Sequence, residues 1–135
     1  MYRLVLVTVL AIGCKSSAPP EAKVTRQQCV AVRDHVVELI IRHYLAHPED
    51  TFDGLDRADL ATNVGIPQGT TRETFGPFIA SDAGKPWLAN ARARLVAGTG
   101  LGETVDKCVR RGKPEHIACW MGATAMEVFQ RCPTP

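Results

Sequence analysis

Two sets of residues in this chain have the types and spacing to do more than pack: five cysteines and a pair of histidines. The cysteines are Cys14, Cys29, Cys108, Cys119 and Cys132. No Cys-x-x-Cys occurs among them, which argues against thiol–disulfide exchange and for structural staples, with one cysteine left over. His43 and His47 stand at i, i+4, a spacing from which one helical face can chelate a metal. Two ligands do not complete a site, and His35 lies two turns earlier. The sequence therefore assigns no metal. His43 and His47, with acidic side chains between residues 49 and 83, are what a metal or small ligand would use.

Other chemistries lack their spacing. Asp53, Asp56 and Asp59 are three apart, not alternating as in a calcium loop, and read as a solvated acidic face. Gly98, Gly100 and Gly102 follow no strand and miss the dinucleotide fingerprint. Gly84-Lys85-Pro86 lacks the Ser/Thr and glycine spacing of a phosphate loop. Ser16, Ser17 and Ser81 are the only serines, and Ser81 has no nucleophile-elbow glycines. Trp87 and Trp120 are expected in the core or at its rim. No catalytic constellation is recognised and no cofactor is implied, so the chain is expected not to be an enzyme.

The elements that would position these residues are helical. Leu101, Val105, Cys108 and Val109 fall on one helical face, and Gly112 is expected to supply a left-handed stop. Pro114 then opens a second helix whose face carries Ile117, Met121, Ala125, Val128 and Cys132. With only Lys113 between stop and start, the two must form a hairpin over residues 101 to 132. Upstream, Thr25 and Gln28 match a capping box for a helix reaching His47, where Pro48 ends it. Its broad apolar arc, through Cys29, Val32, Val36, Leu39, Ile40 and His43, predicts the central packing element. Residues 49 to 84 lose periodicity, which suggests short helices in a long irregular connection, one of them at residues 55 to 63. Such a connection is the first place to look for a binding surface. Pro86 opens a further helix through Trp87 to Val96, and Gly98, Gly100 and Gly102 interrupt it.

The fold class expected is all-α, a small disulfide-stapled helical bundle with a C-terminal αα-hairpin. Helix geometry then selects the staples. On one unbroken helix Cys119 and Cys132 would be roughly 19 Å apart, whereas bridged Cα atoms lie within about 7 Å. Cys108 and Cys119 are nearly equidistant from the turn, so the expected pairs are Cys108 with Cys119 and Cys29 with Cys132.

With 135 residues, 45% hydrophobic and 22% charged, the chain fits one ordinary globular domain. A net charge of +2 is too small to suggest nucleic acid. Residues 48 to 83 carry two basic and seven acidic side chains, while residues 84 to 135 carry eight basic and four acidic. The two stretches are expected to be solvated faces that attract one another.

The N-terminus is a targeting segment. Arg3 is followed by Leu4 to Ile12, a run of nine residues that falls well short of the roughly 20 needed to span a bilayer. It ends in Leu10-Ala11-Ile12-Gly13-Cys14, which resembles the lipobox of bacterial lipoproteins. Ala11 and Gly13 would equally suit ordinary signal peptidase and a plain secreted protein. The odd cysteine separates the two readings: with lipid on Cys14, four cysteines remain to pair. The resemblance implies a signal peptide over residues 1–13 and a lipidated, palmitate-bearing Cys14 opening a polar tether over 14–23. Residues 24–135 are expected to form a single helical domain. The upstream helical cysteine and the Cys108, Cys119, Cys132 spacing also resemble small helical envelope proteins of Gram-negative bacteria, a likeness that brings no activity with it. The expectation is an envelope lipoprotein, held by Cys14 at the outer membrane on its periplasmic or surface face. It would act as an interaction or accessory module for another envelope protein. The alternative is the small-ligand or metal-binding protein built on His43 and His47.

Overall fold

The computed structural model describes residues 23–55 and 65–134. The signal segment, Cys14, nearly all of the tether, the helix expected at residues 55 to 63 beyond Leu55, and the carboxylates Asp56 and Asp59 lie outside the described residues.

The described chain is all-helical and stapled by two disulfides. In chain order the helices are α1 (Arg26–Ala46), α2 (Pro48–Asp53), α3 (Arg72–Ala80), α4 (Lys85–Ala97), α5 (Thr99–Arg111), α6 (Pro114–Gly122) and α7 (Met126–Phe129), with a 3-10 turn at Asp82–Gly84 before α4. Helix α1 is the axis and touches each of the other six.

The capping box at its start forms as its residues predict. Gln28 N donates to Thr25 Oγ1 at 3.2 Å, and Thr25 N donates to Gln28 Oε1 at 2.8 Å. Two otherwise orphaned amides are thereby satisfied. Pro48, expected to end α1, also opens α2 as its first residue, where its missing N–H is no loss. The stretch after His47 does contain short helices, α2 and α3.

Two apolar clusters lie along α1. One joins Val24, Cys29, Val32 and Val36 to Val105, Cys108, Trp120 and Cys132. The other is aromatic: Phe75 meets Trp87 edge-on at 5.2 Å between ring centroids and lies 5.5 Å from Phe52, with Tyr44 and Leu88 packed around them.

The disulfide pairing differs from the expected one. Cys29 is bonded to Cys108 and Cys119 to Cys132, with Cα atoms 5.9 and 5.8 Å apart. The reason is a helix break. The sequence pattern carries one helix from Pro114 to Cys132, whereas α6 stops at Gly122, Ala123 and Ala125 are extended, and α7 starts afresh at Met126. The chain doubles back and brings Cys132 to Cys119, so the separation of an unbroken helix never arises. Gly122 and Thr124 are poor helix formers. The break is also held from outside, since His35 Nε2, on α1, donates to the carbonyl of Ala123 at 2.8 Å. With Cys132 engaged there, Cys108 is left to Cys29 across the α1–α5 contact.

The chain passes from α5 to α6 at Gly112 and Lys113 as expected, but the two helices pack on α1 rather than side by side as the expected αα-hairpin requires, and the glycine works differently. Gly112 has φ −66° and ψ 147°, an ordinary extended conformation rather than a left-handed one. Its N–H donates to Cys108 O at 2.7 Å, and a Cβ there would stand 2.4 Å from that same oxygen. Glycine is required by close approach. Of the three glycines expected to interrupt the chain after α4, Gly98 alone separates the helices, while Gly100 and Gly102 lie within the first turn of α5.

Among the described residues the acidic stretch is engaged both from within and by the basic stretch, where Lys85 Nζ lies 2.5 Å from Asp82 Oδ1. Arg72, itself in that stretch, donates from Nε to Asp53 Oδ2 at 3.0 Å and also pairs with Glu49, which raises its pKa above the usual arginine value. A further link to the basic half comes from α1: Arg92 on α4 forks onto Glu38, Nε to Oε1 at 2.6 Å and Nη2 to Oε2 at 3.0 Å.

Candidate functional site

The C-terminal turn of α1, the start of α2 and one face of α4 enclose a cleft of about 330 Å3. Its walls are Tyr44, Leu55, Trp87, Ala91 and Leu95, and its polar groups come from His43, Asp50, Thr51, Asn90 and Arg94. Sequence order explains this composition. Tyr44 follows the apolar stripe of α1 to its last turn, while the face of α4 carrying Trp87, Ala91 and Leu95 repeats at i, i+4, i+8. Trp87 is 5% exposed and belongs to the aromatic cluster, as expected of it, while forming part of the cleft wall. The volume lies at the lower end of the range of small-molecule sites.

His43 belongs both to this cleft and to a second grouping beside it. His47 caps the end of α1, and the His43 and His47 rings have centroids 4.5 Å apart. Glu127, in the first turn of α7, approaches from the other side with Oε1 3.7 Å from His43 Nδ1. One ligand atom from each of the three lies within 4.8 Å of the others. The chain thus brings together the two histidines singled out by their spacing, but the carboxylate comes from α7 and not from residues 49 to 83. Glu127 carries no signal in the sequence. Its position depends on the break after Gly122, which folds α7 back toward the end of α1. Asp53, named above for its spacing, is engaged by Arg72 away from the histidines.

The other two histidines have structural duties. His35 holds the Ala123 carbonyl, and His116 Nδ1 accepts from Lys113 N at 3.3 Å while its ring lies 5.5 Å from Trp120. The basic trio Arg110, Arg111 and Lys113 borders a shallow recess with Pro114 and Glu115. It has no aromatic side chain, so it offers no platform on which a base could stack.

Among the described residues no helix is long and apolar enough to cross a membrane. No protein-family model matches the chain, and no curated protein or solved structure matches it significantly.

Proposed function

We propose that the chain is an exported lipoprotein, anchored through Cys14 at the outer membrane, whose helical domain serves another envelope protein as an accessory module. The observation that supports this is the cysteine count. Cys29 with Cys108 and Cys119 with Cys132 use every cysteine of the domain, and the fifth is Cys14 beside Gly13. Two disulfides in so small a domain fit an oxidising compartment. Mass spectrometry of the protein extracted from membranes is expected to find acyl chains on Cys14 as the first residue, and Cys14→Ser is expected to move the protein to the soluble fraction. An unmodified Cys14 thiol, or an intact Met1, overturns the anchor.

A second reading, binding of a small ligand, is favoured by the cleft. Saturation-transfer NMR against a panel of small aromatic and polar compounds is expected to yield binders that are lost in Ala91→Trp, a variant that fills the cleft. Binders unaffected by Ala91→Trp place the binding elsewhere.

A further inference from the structure

We infer that His43, His47 and Glu127 form a binding site for a divalent first-row transition metal of the Zn2+ or Cu2+ class. This stands apart from the lipid anchor and does not depend on it. Two imidazoles and one carboxylate are a donor set that suits zinc and copper and not magnesium, which prefers oxygen ligands and retains its waters. Tetrahedral bonds of about 2.0–2.1 Å set ligand atoms roughly 3.3 Å apart. The three side chains already lie within 4.8 Å, and those of His47 and Glu127 are exposed and free to close the gap by small rotations. No hydrogen bond among the described residues holds a ring nitrogen of His43 or His47, in contrast to His35 and His116. Binding here replaces the 3.7 Å contact of His43 with Glu127 and adjusts the ring contact of His43 with His47.

The backbone adds to the case. The two histidines stand one turn apart at the C-terminal end of α1, so one backbone element sets their spacing. The third ligand is kept near by covalent structure, since Glu127 stands five residues before Cys132, whose bond to Cys119 ties the chain just after α7 to α6, and α7 itself packs on α1. Three protein ligands leave a fourth position for water or an incoming ligand, as in sites that bind substrates on zinc. His43 also lines the cleft, so a molecule held there would lie beside that metal.

The test is a titration of the full chain in detergent with Zn2+ alone, read by calorimetry and by competition with a chromogenic chelator, with Mg2+ as the contrast. One Zn2+ per chain and no saturation with Mg2+ are expected. His43→Gln and His47→Gln are each expected to weaken zinc by at least about tenfold, the lower end of what losing even an outer-shell partner costs. Glu127→Gln should weaken it measurably while leaving the far-ultraviolet circular dichroism unchanged. Absence of saturable zinc binding, or unchanged affinity in the histidine variants, overturns the site. A loss in the histidine variants but none in Glu127→Gln reduces it to a helical histidine pair and overturns the three-ligand assignment.

Discussion

Glu38 and Arg92 show how little a well-formed ion pair contributes when water reaches it. The fork is bidentate, and the Arg92 hydrogen bonds hold the Glu38 carboxyl below the usual carboxylate range against a smaller opposing effect of desolvation. Yet the two side chains are 45% and 41% exposed. Screening therefore limits the pair to about 0.3–1 kcal/mol. Because the folded pKa is lowered, this contribution is present above the unfolded carboxylate range. It is lost as the pH falls through that range and on through the folded value. Glu38→Gln should therefore lower the melting temperature slightly at neutral pH, and urea unfolding of parent and variant should converge in acid. A larger effect is expected at Gly84, where a Cβ would stand 2.4 Å from Phe78 O and 2.6 Å from Ile79 Cα. Both atoms are backbone and cannot swing aside, so Gly84→Ala should cost about 1–3 kcal/mol in denaturant unfolding. Neither role is legible in the sequence. There Gly84 shows only as part of an incomplete phosphate loop, and Gly112 suggests a handedness when its requirement is closeness, a property of what lies opposite.

The helices themselves are written locally. Thr25 with Gln28 starts α1, Pro48 separates α1 from α2, Pro86 opens α4, and Gly112 with Pro114 places the turn before α6, all through signals within a few residues. The break after Gly122 is not, because apolar spacing at Ala125, Val128 and Cys132 fits a continued helix as well as a short new one. What decides it is His35, on a helix remote in sequence, and a disulfide that a continued helix would forbid. That one boundary carries the cysteine pairing with it. Non-reducing peptide mapping should recover a peptide joining Cys29 to Cys108 and another joining Cys119 to Cys132; a link between Cys108 and Cys119 would restore the unbroken helix. The two staples should also differ in strength. The bridges lie at sequence separations of 79 and 13 residues. By loop-closure entropy they are worth about 4.5 and about 3 kcal/mol respectively. Replacing Cys29 and Cys108 by serine should lower the melting temperature more than replacing Cys119 and Cys132. Reduction should run in the opposite order, since Cys119 is exposed while Cys29 and Cys108 are buried, and mild thiol should open the shorter loop first.

Across the whole molecule, α1 is both the scaffold and the source of two ligands. Its central place is evident in its broad apolar arc, and so is the spacing of His43 and His47. The cleft and Glu127 are not, because each depends on which remote segment reaches the end of α1. The two clusters along that helix are also held by different means. Both disulfides border or enter the cluster around Val32 and Trp120, whereas the one around Phe75 is held by side-chain packing and the exposed Arg72 ion pairs, with no disulfide among the described residues. A cross-linked half keeps its parts close even when its packing fails; a half without cross-links has nothing to limit how far it opens. The native ensemble should therefore contain partly unfolded members in which α3 has left and the stapled half persists. Hydrogen exchange is the measurement: amides of α3 should exchange by an opening of lower free energy than those in the first half of α1, and a single common free energy for both would show that the domain opens only as a unit. The cleft and the metal ligands of α1 sit on the boundary between the two behaviours. A ligand bound in the cleft, which touches α1, α2 and α4, would tie the loose half to the fixed one and slow exchange in α3 without touching it.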